Sequence, residues 1–276
     1  MALSIAERRA NFWKLHQSGC FILPNAWDIG SARYLAGLGF QAIASTSAGF
    51  AFSRGLPDNR VGLDTVLSHL RELVEATDLP VNADFENGFA HDPEQLGENV
   101  RLGVQTGVAA LSVEDSTGDR SQPLYSRDDA VRRIRAARAA IDRSGFDVML
   151  VGRAECFLVG KPDINETIKR LKAYSEAGAD CLYAPDLQTE DQVAAVVEAV
   201  DPKPVNVLIS GPGKLTIDRA AALGVRRVSV GGALARTAWG GFIRAAKRLA
   251  EQQSFDGFAG SASHAELNQL FRQWVE

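Results

Sequence analysis

The sequence predicts a (β/α)8 barrel of the TIM type. Three observations carry that reading. Helical stretches stopped by a glycine recur just before short β-rich runs. Those runs stay apolar until a polar far end. Eight of them fit along one chain of 276 residues. The junctions read LAGLGFQAIAST, RLGVQTGVAALSVED, SEAGADCLYAP and AALGVRRVSVGG. Glycine closes a helix at little cost because it enters the left-handed region without a Cβ clash. A run that is apolar on both faces suits a parallel strand covered on both sides.

Taken in order, MALSIAERRANFWKLHQSG reads as a short amphipathic helix and lacks the long apolar core of a signal peptide. Strands are expected at 20–24, 42–46, 81–85, 110–115, 148–153, 181–185, 204–209 and 227–231. Helical stretches separate them, among them 64–77, 93–105, 126–143, 163–177 and 189–199. Eight such units in roughly 230 residues match the barrel in number and size. A doubly wound open sheet would more usually carry a G-x-G-x-x-G turn after its first strand, where this chain has LPNAWD. The tail, about 253–276, holds a glycine hinge and then a helix with Leu267, Leu270, Phe271 and Trp274 on one face. Those side chains need a partner, either a second subunit or the chain's own barrel. No Pro/Ser-rich linker divides the chain, so 1–276 reads as one domain.

Composition removes several function classes. The 30 Lys and Arg are outnumbered by 34 Asp and Glu, which leaves no electrostatic footprint for nucleic acid. The longest apolar runs are strand-length, so no membrane span is expected. Cys20, Cys156 and Cys181 are odd in number and lie in apolar contexts, as reduced thiols of a cytoplasmic protein would. His16, His69, His91 and His264 show no zinc-site spacing.

In such a barrel the chemistry gathers where strands end and the following loops converge. Those ends supply Asn25, Trp27 and Asp28, then Ser45, Thr46 and Ser47, then Asp84 and Glu86. Glu114 and Asp115, Arg153 and Glu155, Tyr183 and Asp186, Asn206, and Gly231 with Gly232 follow. The stretch VNADFENGFA sets the central problem. Two carboxylates two residues apart repel each other, and each is costly to desolvate without a partner. They are either solvated loop residues, partners of Arg153 and Arg54, or ligands of a hard divalent cation. Mg²⁺ takes oxygen ligands, keeps several waters and is held by one or two carboxylates. Asp84 is then the direct ligand, with Glu86 and Glu114 acting through water, and Mn²⁺ is the alternative ion.

Arg153, inside VGRAEC, suits a substrate carboxylate or a negative oxygen, or else a salt bridge to Glu155 or Glu114. Ser45, Thr46 and Ser47 offer hydroxyls and backbone N–H groups to an anion, unless they are a plain turn. ISGPGK and VGGAL, after the seventh and eighth strands, raise a competing phosphate site. The arginines of 126–143 are offset by Asp128, Asp129 and Asp142 and read as a solvated outer face. His91 and Cys156 read as structural.

In this order the strand ends resemble the isocitrate lyase/phosphoenolpyruvate mutase superfamily over nearly the whole chain. STSAGFAFSRGLPD resembles its substrate-carboxylate loop, closed by Asp58. ADFENGFA resembles its D-x-D-x-G-[YF]-G metal motif, with Glu86 for the second Asp and Ala90 for the last Gly. SVED supplies Glu114, and GRAEC is similar to the family's ARTEA or ARTDA segment at Arg153 and Glu155. PVNV places Asn206 at a substrate-contacting Asn, and GGALAR matches a family arginine at Arg236. The resemblance implies Mg²⁺, a last barrel helix swapped between subunits of a homodimer or homotetramer, and an enolate of a 2-oxo acid formed as a C–C or C–P bond breaks.

Departures matter too. The loop DSTGDRSQPLYS, 115–126, lacks the K-[KR]-C-G-H of isocitrate and methylisocitrate lyases, so Asp58, Tyr125 or a metal-bound water is expected to move the proton. Arg120 and Gln122 fall near the Lys and Asn of phosphonate-handling members. YAPD has Pro185 where the lyases carry Glu. The resemblance thus implies a Mg²⁺-dependent lyase cleaving a C–C bond in a small 2-hydroxy or 2-oxo carboxylate. Ser45, Thr46 and Ser47 would hold the carboxylate, Arg153 the enolate, and Asn206 with Arg236 the distal acid. A C–P mutase or hydrolase acting on a phosphonopyruvate-like substrate, an oxaloacetate hydrolase, and a non-catalytic barrel binding 2-oxo acids are the alternatives.

Overall fold

Helix ends set the frame. Gly39, Gly107, Gly178 and Gly224, the glycines of the four predicted junctions, all have φ between +84° and +105°. At Gly178 the demand is double, because an added Cβ would lie 2.6 Å from Cγ of Arg138. The computed structural model describes residues 2–213 and 215–275. After α1 (Ile5–Leu15) the chain alternates strands and helices: β1 (Phe21–Leu23), β2 (Asn25–Ala26), α2 (Ile29–Gly37), β3 (Ile43–Ser45), α3 (Ser47–Ser53) and α4 (Leu63–Ala76). It continues with β4 (Val81–Asp84), α5 (Pro93–Gln105), β5 (Ala110–Glu114), α6 (Arg127–Ser144), β6 (Met149–Arg153) and α7 (Ile164–Glu176). It ends with β7 (Cys181–Tyr183), α8 (Glu190–Val200), β8 (Val205–Leu208), α9 (Ile217–Ala222), β9 (Arg227–Ser229), α10 (Ala233–Gln252) and α11 (His264–Arg272).

The nine short strands are all parallel, in the order β1-β9-β8-β7-β6-β5-β4-β3-β2. β1 lies within the first predicted strand, 20–24, and β2 lies beyond it, past Pro24; between them they close the barrel. β1 pairs with β9 (Leu23 opposite Ser229), and β2 pairs with β3 (Asn25 opposite Ala44). Pro24 has no N–H to give the ladder, yet its carbonyl accepts from Ala44 N at 2.9 Å. Asn25 repairs the gap. Its Oδ1 accepts from the backbone N–H of Val230 and Gly231 at 3.0 and 2.8 Å, and its Nδ2 donates to Ser45 O at 2.6 Å.

One element departs from expectation. The segment after β3, read as an anion-binding loop or else a plain turn, is the helix α3, capped by Thr46 Oγ1, which accepts from Gly49 N at 3.2 Å. Seven residues are too few to display a helical period in sequence, and the cap is the feature that defines it.

Along β6, Leu150 and Gly152 face the helices, and an added Cβ at Gly152 would stand 3.0 Å from those of Tyr174 and Ala179. Met149, Val151 and Arg153 alternate with them and point inside. Phe12 of α1, with no exposed surface, forms an apolar cluster with Leu23, Ala44, Met149, Val151 and Cys181 at the N-terminal floor. His16 caps α1. A carbonyl only accepts, so His16 Nδ1 carries the proton it donates to Phe12 O at 2.8 Å. Burial above all, and then the charge of Arg227, push this imidazole down to about 3.

α10 buries only Ala235 and leaves Leu234, Trp239, Phe242, Ile243 and Leu249 exposed. The tail, by contrast, returns to its own barrel. Gly30 of α2 lies against the Phe271 ring, and the Arg33 guanidinium sits 5.6 Å over Trp274. Among the described residues no helix is long and apolar enough to cross a membrane. All three cysteines are unpaired.

The His16 environment predicts a pH dependence of stability. Between the ordinary 6.5 and about 3 the unfolded chain holds a proton that the folded chain refuses. The contribution is therefore intact above pH 6.5 and is lost as pH falls, by up to about 1.4 kcal/mol per pH unit. Urea melts at pH 7 and pH 5 should show a smaller pH difference in His16→Gln than in wild type.

Candidate active site

β4 and β6 bring two opposite charges to one mouth. The Asp84 backbone N–H donates to Ser45 Oγ at 2.8 Å, and its Oδ2 accepts from Ser47 N at 2.9 Å. One N–H expected to face an anion is thus occupied by Asp84. Opposite it, Arg153 Nη1 stands 3.3 Å from Asp84 Oδ1 and 3.2 Å from Glu114 Oε2. Its Nε donates to Glu155 Oε1, and its guanidinium lies 5.1 Å over the Tyr183 ring. Burial works against the arginine's charge, but Glu155 and Glu114, followed by Tyr183 and Asp84, outweigh it and hold the group well above the usual arginine value. Arg54, the other basic candidate, makes no ion pair among the described residues.

The acids outnumber that one guanidinium. Glu86 is buried with φ +47°, a left-handed conformation uncommon outside glycine. Its carbonyl accepts from Glu114 N at 3.0 Å. Burial, and then the charges of Asp84 and Asp58, push its carboxyl up to about 8. Burial raises Glu114 well above the ordinary range; Arg153 opposes this, and Glu155, Asp84 and Glu86 add to it. Crowded carboxyls that resist ionising beside one another are hard oxygen donors whose charged form a divalent cation would favour. Asp84 would hold it directly, and Glu86 and Glu114 through water. Among the described residues no three His, Cys, Asp or Glu side chains already form a metal cage, and a magnesium site that keeps its waters does not require one.

Two cavities meet at this point. The inner one, about 290 Å³, is lined by Ser45, Thr46, Ser47, Asp84, Arg153, Asn206 and Arg236 among others. The outer one, about 1020 Å³, is lined by Glu86, Glu114, Arg120 and Tyr125, with His91 beside them. Asp58 lines both. Burial, then Asp84, raise the Asp58 carboxyl, while the Ser47 hydroxyl works the other way.

Each expected residue therefore has a place, though not always the expected one. Asn206 is 1% exposed and committed at both ends: Oδ1 accepts from Arg227 Nε and Nδ2 donates to Ser229 Oγ, each at 3.0 Å. Arg236 is exposed at the rim and donates to Ser210 O at 2.6 Å. Tyr125 Oη pairs with His91 Nδ1 at 2.6 Å, so His91, read as structural, belongs to the outer wall. Arg120 is exposed on the loop. Lys214 of ISGPGK lies outside the described residues.

Sequence reasoning misplaced or missed three groups. Asp115 was placed in the acidic cluster, but successive strand residues face opposite ways. It turns outward, 2% exposed, and accepts from Glu155 N at 2.8 Å, Arg170 Nη1 at 2.9 Å and Tyr174 Oη at 2.5 Å. Arg133, assigned to a solvated face, is 1% exposed, donates to the carbonyls of Asn87 and His91, and stacks 4.1 Å over Tyr125. Arg227 was not singled out at all. The alternation of the 110–115 run could have flagged Asp115; the two arginines are distinguished only by their neighbours across the fold.

Comparison with known proteins agrees with the barrel fold. The profile of the phosphoenolpyruvate phosphomutase family matches residues 12–250. A crystal structure from Burkholderia cenocepacia J2315, provisionally assigned as a lyase/mutase, is 46% identical, covers 97% of each chain and superposes with TM-score 0.94. An oxaloacetate decarboxylase of Paraburkholderia xenovorans (strain LB400) is 29% identical over 80% of this chain and 74% of its own. The structure of oxaloacetate acetylhydrolase in complex with the product oxalate is 26% identical, covers 97% of this chain and 93% of its own, and has TM-score 0.83.

The Asp115 anchor can be tested without any substrate. Asp115→Ala strips Glu155 N and Tyr174 Oη of their buried acceptor and leaves Arg170 only Glu166 and the Tyr125 carbonyl, and chemical denaturation should show a loss of about 3 kcal/mol or more. Arg120→Ala, on the exposed loop, should change stability by less than about 0.5 kcal/mol.

Proposed function

The chain belongs to the phosphoenolpyruvate phosphomutase family, and from that premise we propose a Mg²⁺-dependent lyase that cleaves a C–C bond in a small 2-oxo or 2-hydroxy carboxylate through the enolate of a 2-oxo acid. One observation carries it: a partly buried guanidinium, Arg153, lies between Asp84 and Glu114 at the wall of a 290 Å³ cavity. That volume is at the small end for ligand pockets and favours a small acid.

Each part has a task. The Ser45, Thr46 and Ser47 segment holds the carboxylate beside Asp84. Asp84 is itself held by Ser45 and Ser47, so its oxygens are aimed before substrate arrives. Arg153 meets the oxygen that becomes negative as the bond breaks, and a donor already in place needs no reorganisation at that moment. The Mg²⁺ held by Asp84, Glu86 and Glu114 would act as Lewis acid on the same oxygen. Asp58 stands where inner and outer cavities join, so it can carry a proton between the reacting carbon and the loop side. Tyr125 sits farther out, paired with His91, and Arg120 farther still; both serve the outer wall. Arg236 at the rim receives the distal acid, while Asn206 supports the floor beneath it.

A second reading, C–C cleavage of oxaloacetate by hydrolysis or decarboxylation, is favoured by the loop 116–125. It carries no Cys, Lys or His to act as the usual lyase proton carrier. Purified protein with Mg²⁺ separates the readings. Trapped glyoxylate supports the lyase, and loss of oxaloacetate with oxalate and acetate, or pyruvate, supports the second. Phosphorus NMR with phosphonopyruvate detects C–P chemistry. Binding of a 2-oxo acid without turnover of any of these marks a non-catalytic barrel.

The exposed face of α10, with Trp239 and Phe242 edge-on at 5.4 Å, supports a homodimer or homotetramer joined by this helix. Sedimentation velocity should find an oligomer for wild type and a shift towards monomer for Phe242→Glu.

At the site itself, Asp84→Ala should abolish the metal-dependent activity found. Arg153→Ala should lower kcat by about 10²-fold or more, on the scale of a lost oxyanion donor. A wild-type rate in either variant removes that residue from the mechanism.

A further inference from the structure

Arg227 opens β9 and points into the barrel, 2% exposed. Every partner it has is neutral. Its Nε donates to Asn206 Oδ1 at 3.0 Å and its Nη1 to Asn82 Oδ1 at 3.1 Å. The same Nη1 stands 3.5 Å from Nε2 of His16, the unprotonated nitrogen of that ring. Among the described residues it forms no ion pair, and its Nη2 makes no hydrogen bond to protein. A buried charge is costly unless something compensates it.

Its position says what that something is. Arg227 lines the inner cavity together with Asp84 and Arg153. Its contact, Asn82, lies two residues before Asp84 on the same inward face of β4, so the guanidinium is one side-chain layer, about 7 Å, below the reacting level. Arg153 has its charge answered by Glu155, Glu114 and Asp84. Arg227 leaves the buried end of the inner cavity with a standing positive charge, as Arg236, bonded to Ser210 O, does at its rim.

We propose that Arg227 is the charge-selecting residue of this site, making the inner cavity prefer a doubly negative small acid to a singly negative one. The proposal rests on the 2-oxo-acid reading above and names the charge class of the substrate. Arg227 acts in two ways: its field reaches the bound anion across the cavity, and its fork to Asn206 and Asn82 keeps both amides turned so that their oxygens face it rather than the anion.

Oxalate and glyoxylate are two-carbon acids of similar shape that differ by one charge. Titration calorimetry in Mg²⁺ should show oxalate binding weakened at least about tenfold in Arg227→Met and glyoxylate binding changed less than about threefold. Arg227→Lys, which keeps the charge, should restore oxalate binding to within about threefold of wild type. Equal losses for both acids in the Met variant, or no loss for either, overturn the proposal. If Arg227→Met does not fold, the Lys variant decides, because loss of the oxalate preference there overturns it equally. A wild type that binds neither acid overturns the functional reading itself.

Discussion

One partly buried guanidinium balances the acidic mouth of this barrel. Arg153 touches Asp84, Glu114 and Glu155 at once, and Glu86 lies close enough to feel its charge. Without it the strand ends would gather negative charges in a half-dry space with nothing to oppose them, a burden of several kcal/mol per ion. With it, Glu86 and Glu114 still resist ionising, and a divalent cation would favour their charged forms. The same residue is thus a structural clamp and, on the proposed function, a source of positive charge for a reacting oxygen. These roles do not compete, because a cation that took up the carboxylates would free the arginine's donors for substrate.

The clamp holds because the layer behind it is equally committed. Asp115, one residue after Glu114, faces outward and receives Arg170, Tyr174 and the Glu155 N–H. That ties the ends of β5 and β6 to α7, so the register Glu114 opposite Arg153 is backed from outside the barrel. Arg133 does the same for the 86–91 turn by holding the carbonyls of Asn87 and His91. The strained backbone at Glu86 is affordable only in a frame this over-determined.

Inside, the barrel is layered by polarity. Phe12, Met149, Val151 and Cys181 form an apolar floor, as branched and bulky side chains do in such barrels. Immediately above come Asn82, Asn206, Arg227 and Ser229, a hydrogen-bonded polar layer. The reacting level of Asp84 and Arg153 lies on top. A polar layer buried this deep adds little to stability, since an apolar one would pack as well. Its value lies in the potential it projects upward.

What could be read from residues alone was whatever depends on local chemistry. Glycines that end helices, apolar runs with polar ends, and the order of strand-end motifs were enough for the barrel, and for placing Asp84, Glu86, Glu114 and Arg153 at one mouth. Proline's missing N–H also lies in the sequence, yet that Pro24 divides a strand and Asn25 bridges the break appears only once β9 and β3 flank it. Likewise, nothing local separates Asp115 from Glu114, Arg133 from its exposed neighbours on α6, or Arg227 from Arg226. Side-chain charge is a property of the residue, but whether that charge is clamped, solvated or left standing depends on what other strands and helices bring to it. That is a long-range matter, decided by the closed barrel.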